Sequence, residues 1–283
     1  MRLICCLALL CCLFAASLAR AQAPVEVPVL TPAWADDTTF EFGIYEKDER
    51  VASAYYRILK EKSMDRDVYR FKYVGRNPRI SEATECVVDA RTLRPLRSTR
   101  KVVYDGKTFF QDSGYREGGV LLRKRYEGKE VVEKPVVARG ELYDYEELLW
   151  LIPQLNIPDK GKARFELFSM LSEAVTTVII TQAGYEDVNV HGKSYPARLY
   201  TFDVGITPYK YWMVMQSGKP IPARIEMAGT RFENLKLDKK KVTKFPKYEV
   251  VAITVDPSED DGQGLPESED DEITPFLPPP SGS

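Results

Sequence analysis

The chain has 283 residues, 44% of them apolar, with 40 Lys and Arg against 42 Asp and Glu, the make-up of a soluble globular protein with chain enough for a full core. It carries one histidine and five cysteines, and four of the cysteines fall at positions 5, 6, 11 and 12. This excludes a zinc site built on His and Cys, and it leaves Cys86 with no intramolecular disulfide partner once the first residues are removed.

The first residues read as an export signal. Arg2 precedes the apolar run Leu3 to Phe14, and Ala19-Arg20-Ala21 puts small residues at the cleavage-defining positions, so residues 1–21 are expected to be a signal peptide, with Gln22 the first mature residue. The apolar run is shorter than the roughly 20 residues that span a bilayer. Lipid attachment at Cys11 or Cys12 would leave almost no hydrophobic segment ahead of the modified residue. The expected location is the periplasm, with association with the outer membrane left open, and nucleic acid is not an expected partner there. Residues 22–37 contain Pro24, Pro28 and Pro32 and read as an extended lead-in.

A single β-rich domain is expected over residues 38–255. Thr39–Tyr45 and Val51–Lys60 flank a polar link suited to a hairpin. In Asp67–Gly75, Tyr69, Phe71 and Tyr73 alternate with Arg70 and Lys72, the period of a strand with one buried and one wet face. Arg79–Asp89 continues the meander and holds Cys86, which reads as a small buried hydrophobe rather than a nucleophile. Asp105-Gly106 joins Leu96–Tyr104 to Lys107–Gln111 as a hairpin, and Gly118-Gly119 and Glu127-Gly128-Lys129 mark further turns before Val131–Ala138.

One helix interrupts the strands. Between about residues 141 and 152, Leu142, Tyr145, Leu148, Leu149 and Ile152 recur at offsets of three and four, which gives an apolar face, and Pro153 reads as the stop. Asp144, Glu146 and Glu147 fall off that face and read as solvated early-turn acids. Strands resume at Ala163–Leu171, Val175–Ala183, Tyr195–Val204, Tyr209–Gln216 and Ile221–Leu237. Tyr209–Gln216 is apolar on both faces and is expected to be covered on both. Residues 256–283 are rich in Asp, Glu, Pro, Gly and Ser, with no basic residue after Lys247, and read as a disordered acidic tail.

The turn from Asp89 through Leu93-Arg94-Pro95-Leu96, Tyr143-Asp144 at the helix start, His191-Gly192-Lys193-Ser194-Tyr195-Pro196-Ala197, and Tyr211-Trp212 followed by Pro222-Ala223-Arg224-Ile225 carry a family likeness. Over residues 38–237 the chain resembles an uncharacterised bacterial envelope family, a domain of unknown function similar in shape to the periplasmic lipoprotein carriers and outer-membrane lipoprotein receptors. The resemblance implies a mainly β fold, an antiparallel, incomplete β-barrel (a half-barrel) curled around the helix, with an apolar concavity for an acyl chain. It brings no catalytic residues. Tyr145, Glu146 and Glu147 depart from the family pattern, where smaller or less acidic residues follow the aspartate.

Little in the chain points to catalysis. His191 sits beside Gly192 in a turn, there is no nucleophile elbow, and neither a P-loop nor a dinucleotide fingerprint is present, so no cofactor and no metal are expected. The leading expectation is a non-enzymatic binding or chaperone-like protein whose groove, between sheet and helix, is lined by Tyr69, Phe71, Leu148, Trp150, Tyr211, Trp212 and Met213. The same residue types at alternating positions equally make a plain core. Arg94, Arg97, Arg100, Lys101, Arg123 and Arg125 are candidates for contact with an anionic head group or surface, or are ordinary solvated strand positions. The alternatives are an assembly factor that holds an envelope protein partner and, less well supported, a carboxylate-dependent hydrolase of envelope polymers. A lipid or a lipidated protein is the expected partner of the first reading.

Overall fold

The computed structural model describes residues 37–63, 65–76, 80–155 and 157–245. The expected signal peptide, residues 22–36 of the lead-in, and the acidic tail lie outside the described residues.

The first eight strands form a continuous meander. They are β1 (Asp37–Glu46), β2 (Glu49–Ser63), β3 (Arg66–Arg76), β4 (Ile80–Asp89), β5 (Pro95–Tyr104), β6 (Lys107–Arg116), β7 (Gly119–Tyr126) and β8 (Val132–Val137). A short β9 (Leu142–Asp144) leads into the helical segment, and a second meander follows: β10 (Lys162–Ser169), β11 (Ala174–Val190), β12 (Lys193–Val204), β13 (Thr207–Gln216), β14 (Lys219–Met227) and β15 (Thr230–Asn234). The last strand, β16 (Val242–Thr243), pairs with β13 at Met215 and Gln216. All belong to one sheet, in which β1 and β15 pair in the middle and β8 and β9 lie at the two ends. Neighbours are antiparallel throughout, apart from β9, which runs parallel to β10.

Alternation fixes which face each strand buries. On β3, Tyr69, Phe71 and Tyr73 join the interior cluster, while Arg70 and Lys72 on the other face both reach Glu85 of β4. The turn between β5 and β6 places Asp105 at φ 46° and Gly106 at φ 76°, the two left-handed residues of a hairpin matched to strand twist. The expected strand over Ile221–Leu237 is two strands, because Ala228 (φ 48°) and Gly229 (φ 81°) turn the chain between β14 and β15.

The sheet is mainly antiparallel, incompletely closed, and curled around the helical segment. Its two ends meet through side chains. Val120 and Leu122 of β7 pack against Phe168 and Met170 at the end of β10, and Gln111 Nε2 donates to the Met170 carbonyl over 2.7 Å. Beside them Glu173 takes Lys124 at 2.7 Å and Lys134 at 3.1 Å. These two lysines hold the Glu173 carboxyl below its ordinary range, so the stabilisation it gives is present above that range and lost as pH falls through the lowered value. Glu173→Gln is therefore expected to cost up to about 1 kcal/mol near neutral pH and less in acid, read from urea unfolding at the two pH values. An equal loss at both would detach the effect from the charge.

The helical segment is shorter and tighter than the predicted helix. A 3₁₀ turn (Tyr145–Glu147), one α-helical turn α1 (Leu148–Leu151), and a second 3₁₀ turn (Ile152–Gln154) run on from β9. Pro153 continues this run instead of stopping it, since it stands in the first turn of the second 3₁₀ piece, where its missing N–H costs nothing. Trp150 and Leu151 are buried together with Leu148 and Ile152, so the segment is enclosed on more than the predicted face.

A second apolar cluster lies on the outer face, formed by Val188, Val190, Tyr195, Ala197, Trp212, Val214 and Ala223 with Leu237 and Val242 packed on it. Strand β13 is thus covered on both sides, as its composition requires.

Candidate functional site

The polar side of the interior is built by three neighbouring strands. Register places Cys86, Ser98 and Ser113 in one row across β4, β5 and β6, and Thr84, Arg100 and Gln111 in the next. Alternation turns both rows inward, towards the start of the helical segment.

Asp144 and Glu147 meet these rows through a capping box. The Asp144 carboxylate accepts the Glu146 N–H at 2.7 Å, while the Glu147 carboxylate accepts the Asp144 N–H at 2.7 Å, so each side chain satisfies a backbone donor at the turn. The other Asp144 oxygen accepts the Ser98 hydroxyl at 2.5 Å and the Tyr115 hydroxyl as well. Glu146 accepts from Thr84 at 3.1 Å. Arg100 donates to Glu82 at 2.5 Å and to Gln111 at 3.2 Å. Asp144 is 1% exposed and Glu147 is fully buried. The expectation of a solvated acidic face is therefore corrected: these carboxylates are buried, and the capping hydrogen bonds and the inward polar rows offset part of that cost.

Burial dominates the acidity of all three. It pushes the Glu146 carboxyl up to about 8, reinforced by the charges of Asp144 and Glu82 and opposed by Thr84 and Arg100. Glu147 is raised well above the carboxylate range, opposed only by the Asp144 N–H. Asp144 is raised too, against hydrogen bonds from Ser98, Tyr115 and the Glu146 N–H. The Cys86 thiol, fully buried in the same wall, is likewise raised by burial, which suits a structural cysteine. Two buried oxygens here have no hydrogen-bond partner, Ser113 Oγ and Glu147 Oε2. Among the described residues no group of His, Cys, Asp and Glu is arranged to hold a metal ion.

The candidate groove residues are placed unevenly. Tyr69, Phe71, Leu148, Trp150, Tyr211 and Met213 all join the main interior cluster. Trp150 stacks on Phe40 at 5.1 Å and on Phe71 at 6.5 Å, with the edge of Tyr56 at 5.1 Å, and the Tyr211 hydroxyl donates to the Leu149 carbonyl at 3.1 Å. Trp212 is not brought to them. The period of two sends it to the outer face, where its indole N–H donates to Glu186 at 2.7 Å and Arg224 lies over its ring.

The basic candidates form no common cationic patch. Arg94 pairs with Glu141, Arg97 with Asp112 and Arg123 with Glu133, because opposite charges face them from neighbouring elements. Arg100 turns inward to Glu82, and only Lys101 and Arg125 share a surface feature, flanking the Phe110 ring at 5.4 and 5.1 Å. His191, as expected, lies at a hairpin turn, where its ring meets Glu233 at 3.2 Å.

No family model matches this chain, and no curated protein matches it either. Among solved structures it is similar to a β-barrel-like protein of a domain of unknown function, DUF1849, from Brucella abortus, at 12% identity and a TM-score of 0.49, over 78% of this chain and 100% of the other.

Proposed function

We propose that this protein is an exported, non-enzymatic binding or chaperone-like protein of the cell envelope that holds an apolar ligand, a lipid or acyl chain, between its curved sheet and the helical segment. The observation that carries this reading is the seat of Trp150. Among the described residues, one α-helical turn and two 3₁₀ turns are what the sheet curls around, and their largest side chain lies in a nest of Phe40, Tyr56 and Phe71. A chain of about twelve methylenes leaving water gains about 10 kcal/mol, more than the roughly 3–5 kcal/mol lost when one buried tryptophan leaves its seat. The remaining roughly 5–7 kcal/mol is what stands against the loss of translational and rotational freedom on association, and in this reading the acyl chain displaces Trp150 and occupies the aromatic nest.

The assembly-factor reading draws on β8, the end strand of the sheet, where Val137 is 82% exposed. It is the weaker of the two, because Lys134 and Pro135 on that strand are the residues that discourage an added strand.

Native mass spectrometry of the protein, purified from a periplasm without detergent, tests the leading reading. A stoichiometric adduct of lipid mass is expected, or uptake of added fatty acid. A bare protein mass that stays bare with added fatty acid or phospholipid would sink it.

A further inference from the structure

Lys101, Phe110 and Arg125 stand side by side across β5, β6 and β7, since register sets Phe110 opposite Lys101 on one side and opposite Arg125 on the other. Alternation turns this row away from the inward Gln111 and Arg100, onto the outer face of the sheet. Both cations are exposed, and both lie over the Phe110 ring, at 5.4 and 5.1 Å from its centre. Among the described residues neither meets a carboxylate. The other basic residues of β5 and β7 all do: Arg97 pairs with Asp112, Arg100 with Glu82, Arg123 with Glu133 and Lys124 with Glu173. Register gives the reason. In the next outward row the place between β5 and β7 belongs to Asp112, opposite Thr99 and Arg123, and Arg97 takes its carboxylate. In this row the same place holds a ring, which keeps the two cations near one another by cation–π attraction and compensates neither charge.

The row walls a surface depression of about 370 Å³, a volume within the usual range of ligand sites. Its lining also includes Thr108, Glu127 and Gly128. Glu127 is the acid of this lining, and its carboxylate already accepts the Thr108 N–H at 2.9 Å. Gly128 adds no side chain, and even a Cβ built there would stand in open space, so the depression stays clear on that side. What it presents is therefore two exposed positive charges with no anion between them. One guanidinium fork can occupy both oxygens of a carboxylate by itself. A phosphate monoester brings three free oxygens and nearly two negative charges, enough for the fork of Arg125 and the ammonium of Lys101 together. We propose that the depression between Lys101 and Arg125 is a binding site for a phosphate monoester. It lies on the opposite face of the sheet from the interior that seats Trp150, and it stands or falls independently of the apolar-ligand reading.

Glycerol 3-phosphate added to the full mature chain, followed by amide NMR and calorimetry, tests the site. The Phe110, Arg125 and Gly128 amides are expected to shift, with binding about tenfold or more tighter than that of acetate and no binding of glycerol. Lys101→Met and Arg125→Gln alter exposed strand positions and are each expected to weaken binding about tenfold. Arg123→Gln removes a cation from the same face of β7 and is expected to leave binding unchanged. Vesicles of phosphatidylcholine, with and without phosphatidic acid, separate the two sources of such a phosphate. Retention on the phosphatidic acid vesicles alone, lost in Arg125→Gln, assigns it to a lipid; binding of glycerol 3-phosphate without retention assigns it to a soluble ester. Equal weakening by Arg123→Gln and Arg125→Gln would reduce the effect to general charge and overturn the site, as would acetate bound as tightly as glycerol 3-phosphate. A protein that takes up neither glycerol 3-phosphate nor the vesicles overturns it as well. If a variant fails to fold, the unaltered protein decides, since amide shifts that spare β5, β6 and β7 place the phosphate elsewhere.

Discussion

Trp150→Ala is expected to cost about 3–5 kcal/mol in unfolding free energy and, at the same time, to increase the uptake of dodecanoate. The first effect follows from burial: the indole is 2% exposed and lies against Phe40, Tyr56 and Phe71. Removing it takes away its transfer free energy and leaves a cavity, which the sheet cannot collapse because β1, β2 and β3 are hydrogen-bonded on both sides. The second effect follows from the same cavity. An acyl chain entering the unaltered protein must displace Trp150, whereas in the variant the seat is vacant and that cost disappears. Trp150→Phe keeps a ring on Phe40 and is expected to fall between the two in both properties.

Urea unfolding with and without dodecanoate measures both effects on one sample. A variant as stable as the original would mean the sheet closes over the gap. A variant destabilised as expected but no better at taking up the chain would show that Trp150 is core and nothing more, and would remove the basis of the apolar reading.

The strands were legible because the chemistry alternates where one face is wet. Tyr69-Arg70-Phe71-Lys72-Tyr73 allows one orientation, and Asp105-Gly106 allows one turn. The polar side of the interior was not legible for the opposite reason. In β5, Arg97, Ser98, Thr99, Arg100 and Lys101 are all polar, so no alternation says which of them point inward, and only the placement of β9 and the helical segment against this stretch decides it. Asp144, Glu146 and Glu147 read as exposed acids because acids in a first turn usually are. The spacing of Asp144 and Glu147 is that of a capping box, and that was the one local signal that these carboxylates serve the backbone. The periodicity predicts a longer helix than forms, because five apolar residues satisfy it equally well when strand, 3₁₀ turn and α-turn follow one another.

The burial of those acids is expected to make stability fall as pH rises through neutrality, the opposite of a protein held together by exposed ion pairs. A carboxyl whose folded-state pKa is raised binds its proton more tightly in the native than in the unfolded chain. Its contribution is fully present below the ordinary value of 4.5 and is lost as pH climbs through about 8 for Glu146. One such group gives a slope of at most about 1.4 kcal/mol per pH unit inside that window. The groups facing Glu146 are Asp144 and Tyr145 on its own segment, Glu82 and Thr84 on β4, Arg100 on β5, Tyr56 and Tyr73 on β2 and β3, and Tyr209 on β13. The tyrosines, raised by burial, stay neutral throughout the window. Asp37 and Glu173 carry lowered values, so their stabilisation is lost only below the ordinary carboxylate range and leaves the window clear. Urea unfolding between pH 5 and pH 8 is therefore expected to show falling stability, and Glu146→Gln, which is uncharged at every pH and keeps an oxygen for Thr84, is expected to remove one group's share of that slope and to be the more stable protein at the upper end. An unchanged slope in the variant would mean that Glu146 ionises freely against water instead of being held by its buried neighbours.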